Sequence, residues 1–169
     1  MKRERIIYQV MKKLLGCLLL TLTALALAVS AEVAPQIGSL APALALPDLN
    51  GKTVTLQKYA GEKPVILVFF TSWSKSCQAE LADLQARYNN KFEVLAVSFD
   101  KKSKELKSFL AKNQLSYPVL LDKKLASLDA FQVLIIPTTF CVNRQGEIEK
   151  VFVDYDDNVQ QALTDWLAD

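Results

Sequence analysis

Ser74 and Cys77 are the residues whose types and spacing most directly predict chemistry. They stand three positions apart within residues 69–77, directly after the apolar run Val65–Val68. Two cysteines at this spacing exchange disulfides, because one thiolate attacks a partner's disulfide and the second thiol resolves the mixed disulfide. Serine stands at the first position here, so any such chemistry must depend on the Cys77 thiol alone.

The Ser74 hydroxyl is not itself a nucleophile, because an alcohol needs a general base to activate it. The chain contains no histidine. This excludes Ser-His and Cys-His catalysis, and it excludes zinc sites built on histidine. No motif predicts a metal, a nucleotide or another cofactor, so the predicted chemistry centres on one thiol.

Residues 1–31 have the pattern of a signal peptide. Basic residues at positions 2–13 precede an apolar run over residues 14–29, and the small residues Ser30 and Ala31 follow. The pattern restarts at Met11, which is an alternative start. We predict export, with a mature domain over residues 32–169; an uncleaved segment that attaches the domain to the membrane is the alternative.

The composition predicts one globular domain after this segment, since 51% of the 169 residues are hydrophobic. Residues 32–169 contain 15 Lys and Arg against 17 Asp and Glu, so the formal net charge of +2 does not indicate a nucleic acid partner. They retain only Cys77 and Cys141, too few for a disulfide-stapled scaffold. We predict that Cys141 is a buried structural cysteine rather than a partner for Cys77.

Hydrophobic periodicity predicts strands that alternate with helices. The turn Asn50-Gly51 leads into a strand over residues 53–56, and Val65–Phe70 is typical of a strand buried on both faces. Helices are predicted over residues 75–89, 103–113, 125–131 and 158–168, and further strands over residues 94–99, 117–121, 138–142 and 148–153. This order predicts a three-layer α/β sandwich with a mixed sheet.

Four segments resemble the exported TlpA/ResA-like branch of the thioredoxin superfamily. They are Leu-Pro-Asp-Leu-Asn-Gly-Lys at 46–52, Val-Ile-Leu-Val-Phe-Phe at 65–70, Trp-Ser-Lys-Ser-Cys at 73–77 and Ile-Pro-Thr-Thr-Phe at 136–140. The resemblance implies a thioredoxin-like α/β/α sandwich with a mixed central sheet and an N-terminal β-hairpin extension. It also implies an extracytoplasmic oxidoreductase, periplasmic or membrane-anchored, that serves redox homeostasis by exchanging disulfides with protein clients or small thiols.

The same resemblance assigns roles around Cys77. Pro137 matches the family's cis-proline, so the backbone of Ile136 is expected to contribute to a peptide-binding surface. Glu80 matches an acidic residue that family members use for proton handling near the thiols. The candidate catalytic residues are therefore Cys77, Ser74 and Glu80.

Cys77 itself admits two interpretations. The helix dipole and Lys75 favour a reactive thiolate, whereas the charge of Glu80 opposes one. Alternatively, Ser74 is the helix N-cap and Cys77 packs as a small buried hydrophobe. Trp73 and Lys75, beside the motif, are the further candidates for substrate contacts.

Three functions remain open at this point. The first is thiol-disulfide exchange through the single thiol of Cys77. The second is a one-cysteine peroxidase, because Ser74 and Cys77 resemble the Thr-x-x-Cys core of peroxiredoxins. The third is a redox-inactive, chaperone-like module that binds peptides beside Pro137.

Overall fold

The computed structural model describes residues 35–168, and the predicted signal peptide of residues 1–31 lies outside them. In chain order, the elements are β1 (Ala45–Pro47), β2 (Thr53–Thr55), a 3-10 turn (Leu56–Tyr59), β3 (Val65–Phe70), α1 (Lys75–Arg87), β4 (Glu93–Ser98), α2 (Ser103–Asn113), β5 (Val119–Leu121), α3 (Ala126–Ala130), β6 (Thr138–Val142), β7 (Ile148–Val153) and α4 (Asp157–Ala168). The order of strands and helices is the one that the sequence predicts.

Five strands form the central sheet in the order β5-β4-β3-β6-β7. Strand β3 pairs parallel with β4 and antiparallel with β6, while β5 is parallel to β4 and β7 antiparallel to β6. The sheet is therefore mixed, and β3 lies at its centre. Every residue of β3 is buried, which explains its uninterrupted apolar sequence.

The sheet separates two apolar cores. Every second residue of β3, starting at Ile66, enters the core shared with α1, α2 and α4. The intervening residues, starting at Val65, enter the core covered by β2, the 3-10 turn and α3. The fold is thus the predicted thioredoxin-like three-layer sandwich, with the hairpin and short helical segments forming much of one outer layer.

The predicted N-terminal hairpin is present as a separate two-stranded sheet of β1 and β2. Asp48 Oδ1 accepts hydrogen bonds from the backbone N–H groups of Asn50 and Lys52, and Gly51 has a φ of 82°. A left-handed φ of this kind favours glycine, which has no Cβ. The Asn-Gly signal in the sequence therefore located the turn correctly.

Some boundaries differ from the prediction. Helix α4 begins at Asp157, and the Asp156 carboxylate accepts a hydrogen bond from the backbone N–H of Val159. Asp156 therefore caps the helix in place of the predicted start at Asn158. Among residues 35–168, none of the helices has the length and apolar character that a membrane span requires.

Candidate functional site

A short loop connects β3 to α1 and carries the motif. Residues 71–74 leave the central strand, and Lys75 is the first residue of α1. The backbone of Ser74 is extended, and its Oγ accepts a hydrogen bond from the backbone N–H of Cys77 at 3.4 Å. Ser74 is therefore the N-cap, and it satisfies one of the amides that a helix start leaves unpaired.

The Cys77 thiol lies inside the protein. Cys77 is 0% exposed and belongs to the core beneath α1. Burial raises the pKa of Cys77, hydrogen bonds from Ser74 and Thr71 lower it, and the Glu80 carboxyl raises it further. Lys75 is exposed and is not among the groups that shift this pKa. The net shift of the Cys77 pKa is upward and favours the neutral thiol, a direction that the sequence alone did not indicate.

Glu80 lies one helical turn beyond Cys77 and is fully buried. Its Oε1 accepts a hydrogen bond from Thr139 Oγ1 at 2.6 Å, while its Oε2 has no partner within the described residues. Burial raises the pKa of Glu80 to about 8; the Thr139 hydrogen bond opposes this shift, and the charges of Asp83 and Asp154 add to it. The carboxyl therefore keeps its proton at neutral pH and can act as an acid.

The peptide bond between Ile136 and Pro137 is cis, as the resemblance implies. Pro137 is buried directly before β6, and its carbonyl accepts a hydrogen bond from the backbone N–H of Asp154 at 2.8 Å. Ile136 is half-buried and packs against the core that contains Cys77. The structure thus brings the cis bond and the thiol to the same core.

Exposed apolar side chains lie beside the motif and beside the cis bond. Trp73 is 68% exposed and lines a shallow groove with Lys104 and Glu105 of α2. Leu134 and Ile135, which precede the cis bond in the chain, are 94% and 55% exposed. Sequence analysis singled out Trp73, but it did not identify Leu134 and Ile135 as surface residues, because their apolar character suggests burial.

Asp100 is a positioning residue that sequence reasoning missed. Its Oδ1 accepts a hydrogen bond from Ser72 Oγ at 2.7 Å, and its Oδ2 accepts hydrogen bonds from the Ser72 backbone N–H and from Ser98 Oγ. The Ser72 carbonyl in turn accepts a hydrogen bond from Gln78 Nε2 at 2.7 Å. Asp100 therefore ties the motif loop to the end of β4. The sequence did contain a signal for this contact. Ser72 follows β3 and Asp100 follows β4, and the carboxyl ends of parallel strands meet at one edge of a sheet.

Cys141 has the structural role that the sequence predicts. It is fully buried in β6, where it pairs with Ile66 of β3. Both Cys77 and Cys141 are free thiols, and burial raises the pKa of Cys141 strongly. Within residues 35–168, no cluster of three or more potential metal ligands is present.

Comparison with known proteins agrees with this geometry. The sequence model described as the AhpC/TSA family matches residues 37–151. The chain belongs to the AhpC/TSA family. Thioredoxin-like protein YneN from Bacillus subtilis (strain 168) is 35% identical over 128 residues, which are 72% of this chain and 74% of YneN.

Two further relatives of this AhpC/TSA-family chain are similar over most of their length. Thiol-disulfide oxidoreductase ResA from Bacillus thuringiensis subsp. konkukian (strain 97-27) is 29% identical over 152 residues, covering 88% of this chain and 87% of ResA. A crystal structure assigned as thiol:disulfide interchange protein DsbE from Chlorobium tepidum aligns with a TM-score of 0.73 and 29% identity, over 80% of this chain and 97% of that one. The predicted resemblance to ResA-like, thioredoxin-fold oxidoreductases is therefore confirmed.

Proposed function

We propose that this protein exchanges disulfides with thiol-containing partners outside the cytoplasm, through the single thiol of Cys77. One arrangement carries the proposal: Cys77 lies in the first turn of α1, capped by Ser74, one helical turn before Glu80, whose pKa burial raises, and in the same core as Ile136 beside the cis bond. Ser74 stands where a two-cysteine site has its attacking thiol, so that thiol is absent. The rest of the site architecture is retained.

The chemistry has two steps that balance with one thiol. The neutral Cys77 thiol first gives its proton to solvent. The thiolate attacks a partner's disulfide, which forms a mixed disulfide and releases the partner's other sulfur as a thiolate that takes a proton from solvent. An external thiolate then attacks the mixed disulfide and releases Cys77, which takes a proton from Glu80, and solvent returns a proton to the Glu80 carboxylate. A protonated carboxyl suits this step, because it neutralises a thiolate that burial destabilises.

Access to Cys77 controls the rate under this proposal. The residue is 0% exposed, so the loop of residues 71–74 must move before a partner sulfur can approach. Asp100 restrains that loop through Ser72. We therefore propose slow exchange, in which opening of the loop precedes each covalent step.

The cellular setting follows from the relatives and from residues 1–31. The similar proteins ResA and DsbE are named as a thiol-disulfide oxidoreductase and a thiol:disulfide interchange protein. The N-terminal sequence of this chain has the pattern of an export signal. We propose an extracytoplasmic location, periplasmic or tethered to the membrane by an uncleaved N-terminal segment. The proposed partners are protein thiols and disulfides or small thiols.

A gain-of-function variant tests the proposal. Ser74→Cys places two cysteines at the spacing that closes an intramolecular disulfide, so it should raise insulin-reductase activity well above that of the parent. The parent protein should form mixed disulfides through Cys77, detected by mass spectrometry of partners released with reductant. Ser76→Cys is the matched control, since it adds a thiol at the wrong spacing. If Ser74→Cys stays inactive and no partner is trapped through Cys77, the proposal fails.

A peptide-binding module without redox turnover is the second candidate. The observations that favour it are the complete burial of Cys77 and the exposure of Trp73, Leu134 and Ile135. This candidate predicts that partner binding survives Cys77→Ala and weakens when Leu134 becomes serine. The peroxidase has less support, because the similar proteins ResA and DsbE are named for thiol-disulfide chemistry. Labelling of Cys77 by a sulfenic-acid probe after peroxide treatment would revive it.

A further inference from the structure

A groove of about 500 Å³ lies between the motif loop and helix α2. Ser72 and Trp73 of the loop line it together with Lys104, Glu105 and Ser108 of the helix. Helix α2 joins β4 to β5 on one side of β3, whereas the cis bond precedes β6 on the other side. The groove is therefore separate from the surface beside the cis bond.

Contacts inside the protein fix both sides of this groove. Asp100 accepts hydrogen bonds from the side-chain hydroxyl and the backbone N–H of Ser72. On α2, Leu106 is buried in the core, and the ring centroid of Phe109 lies 6.2 Å from that of Phe70. These contacts turn the opposite face of α2, which carries the groove residues, toward solvent. The groove is thus formed before a partner arrives, which lowers the entropy cost of binding.

Positive charge is concentrated beside the groove. Residues 101–112 contain five lysines and one acid, Glu105, although residues 32–169 as a whole carry more acidic than basic residues. Lys102 Nζ pairs with Glu105 Oε1 at 3.2 Å. In the part of the chain that the structure describes, the other four lysines form no ion pair. The acid in the groove is therefore already paired, and a net positive charge remains.

The opposite edge of the sheet carries the opposite charge. Helix α2 leads into β5 at one edge, whereas β7, followed by α4, lies at the other. Residues 147–165, which include β7 and most of α4, contain six acids and one lysine. An acidic partner is therefore attracted to the α2 side and repelled from the β7 side, which selects one docking orientation.

The lysines do not stabilise the helix that carries them. Lys102 occupies the N-cap position without a side-chain capping hydrogen bond, and Lys104 lies in the first turn. Positive charge is unfavourable at the positive end of the helix dipole, and Ser, Thr, Asp or Asn would be the better cap. A sequence that conflicts with local preference beside a functional loop favours a binding role for the conflicting residues.

We propose that this groove docks an acidic segment of a partner protein, with carboxylates on Lys104 and Lys107 and an apolar side chain on Trp73. Lys107 lies three residues beyond Lys104 and so on the same surface of α2. The exposed indole of Trp73 requires an apolar contact beside the carboxylates, which a peptide supplies and a bare polyanion does not. That this segment belongs to a partner in disulfide exchange rests on the proposed function, but the docking itself needs no thiol.

Two capped peptides without cysteine test the docking on the full-length protein. One is Gly-Asp-Glu-Leu-Asp-Glu-Gly, and the other replaces its acids with the matching amides. The acidic peptide should bind about tenfold more tightly at low ionic strength, and added salt should remove the difference. Nitrogen-15 NMR follows the titration, in which the indole signal of Trp73 and the backbone amide signal of Lys104 should shift.

Lys104→Glu tests the charge in the groove. It should weaken binding of the acidic peptide by about tenfold and preserve the fold, because Lys104 is exposed and an acid in the first turn suits the helix dipole. Lys91→Glu is the matched control, since this exposed lysine precedes β4 at the end of the sheet opposite to the motif and should affect binding far less. Trp73→Ala should also weaken binding, because the leucine of the peptide loses its contact.

Equal binding of the two peptides, or equal effects of Lys104→Glu and Lys91→Glu, overturns the proposal. Linear polyphosphate that binds as tightly as the acidic peptide and shifts Lys104 but not Trp73 would overturn it too, because the lysines would then attract any polyanion. The peptides contain no sulfur, so failure of docking is distinct from failure of partner trapping by Cys77.

Discussion

Ser74 combines a structural gain with a chemical loss. Its Oγ accepts a hydrogen bond from the Cys77 backbone N–H, and its hydroxyl also lowers the pKa of the Cys77 thiol. Serine is among the best N-cap residues, so the exchange of a thiol for a hydroxyl stabilises the start of α1 while it removes a nucleophile. The remaining thiol is the one that burial keeps neutral.

Replacing Ser74 with alanine should affect both properties. The loss of the cap should lower the free energy of unfolding by about 1 kcal/mol. The pKa of Cys77 should rise further, because the hydrogen bond that stabilises its thiolate is gone. Urea denaturation measures the first effect, and the pH dependence of Cys77 alkylation, read by peptide mass spectrometry, measures the second.

Ser76→Ala is the control for this experiment. Ser76 also lies in the first turn of α1, and within residues 35–168 its side chain makes no hydrogen bond. Its replacement should change neither quantity appreciably. Equal effects of the two alanine variants would contradict the assigned role of Ser74.

At the level of elements, the sequence predicts the strands and helices better than it predicts the side-chain contacts that position the site residues. Val65–Phe70 is apolar throughout because both of its faces are buried, and this signal survives without any tertiary information. The Ser74 cap and the cis bond before Pro137 were also predictable, from local spacing and from family resemblance.

The missed contacts all join residues that are distant in the chain. Ser72 meets Asp100 across 28 positions, and Glu80 meets Thr139 across 59. Nothing in local periodicity specifies which polar side chains meet at the edge of a sheet. The depth of Cys77 was left open for the same reason, because its burial depends on how α1 packs over β3.

The link between β4 and the motif loop leads to a prediction about access. Asp100→Ala leaves the buried backbone N–H of Ser72 without its acceptor, which should lower the free energy of unfolding by about 1–3 kcal/mol. The freed loop should open more often, so native-state alkylation of Cys77 should become several-fold faster. Mass spectrometry of the Cys77 peptide over time gives this rate.

A destabilised variant could react faster merely because it unfolds more often. Asp156→Ala is the matched control, since it removes the cap of α4 on another part of the fold and should also cost about 1 kcal/mol. Only Asp100→Ala should accelerate alkylation beyond the rate that its global stability predicts. Equal acceleration in both variants would show that the loop does not govern access.

On the scale of the whole molecule, one buried carboxyl links the active site to global stability. Successive residues of strand β3 point alternately into the two cores. Helix α1 packs over this strand, and its Glu80 side chain is fully buried. The tyrosines and cysteines whose pKa values are raised titrate at higher pH than Glu80. In the described chain, Glu80 is therefore the shifted group whose raised pKa makes stability depend on pH between about 5 and 8.

The sign of its effect follows from proton linkage. The unfolded chain releases the Glu80 proton near the ordinary pKa of 4.5, whereas the folded protein keeps it until about pH 8. Between these values the folded state binds more protons, so the free energy of unfolding falls as the pH rises, by up to about 1.4 kcal/mol per pH unit. Below this window both states are protonated and the penalty is absent.

Glu80→Gln should remove this dependence. Glutamine keeps an oxygen that can accept the Thr139 hydrogen bond but has no proton to lose, so the variant should gain stability relative to the parent as the pH rises from 5 to 8. Urea denaturation at pH 5, 6.5 and 8 measures the difference. Glu105→Gln is the control, because Glu105 is about half exposed on α2 and should give a curve parallel to that of the parent. Parallel curves for Glu80→Gln as well would mean that Glu80 ionises in the folded protein as freely as in the unfolded chain, and the acid assigned to the Cys77 site would be lost.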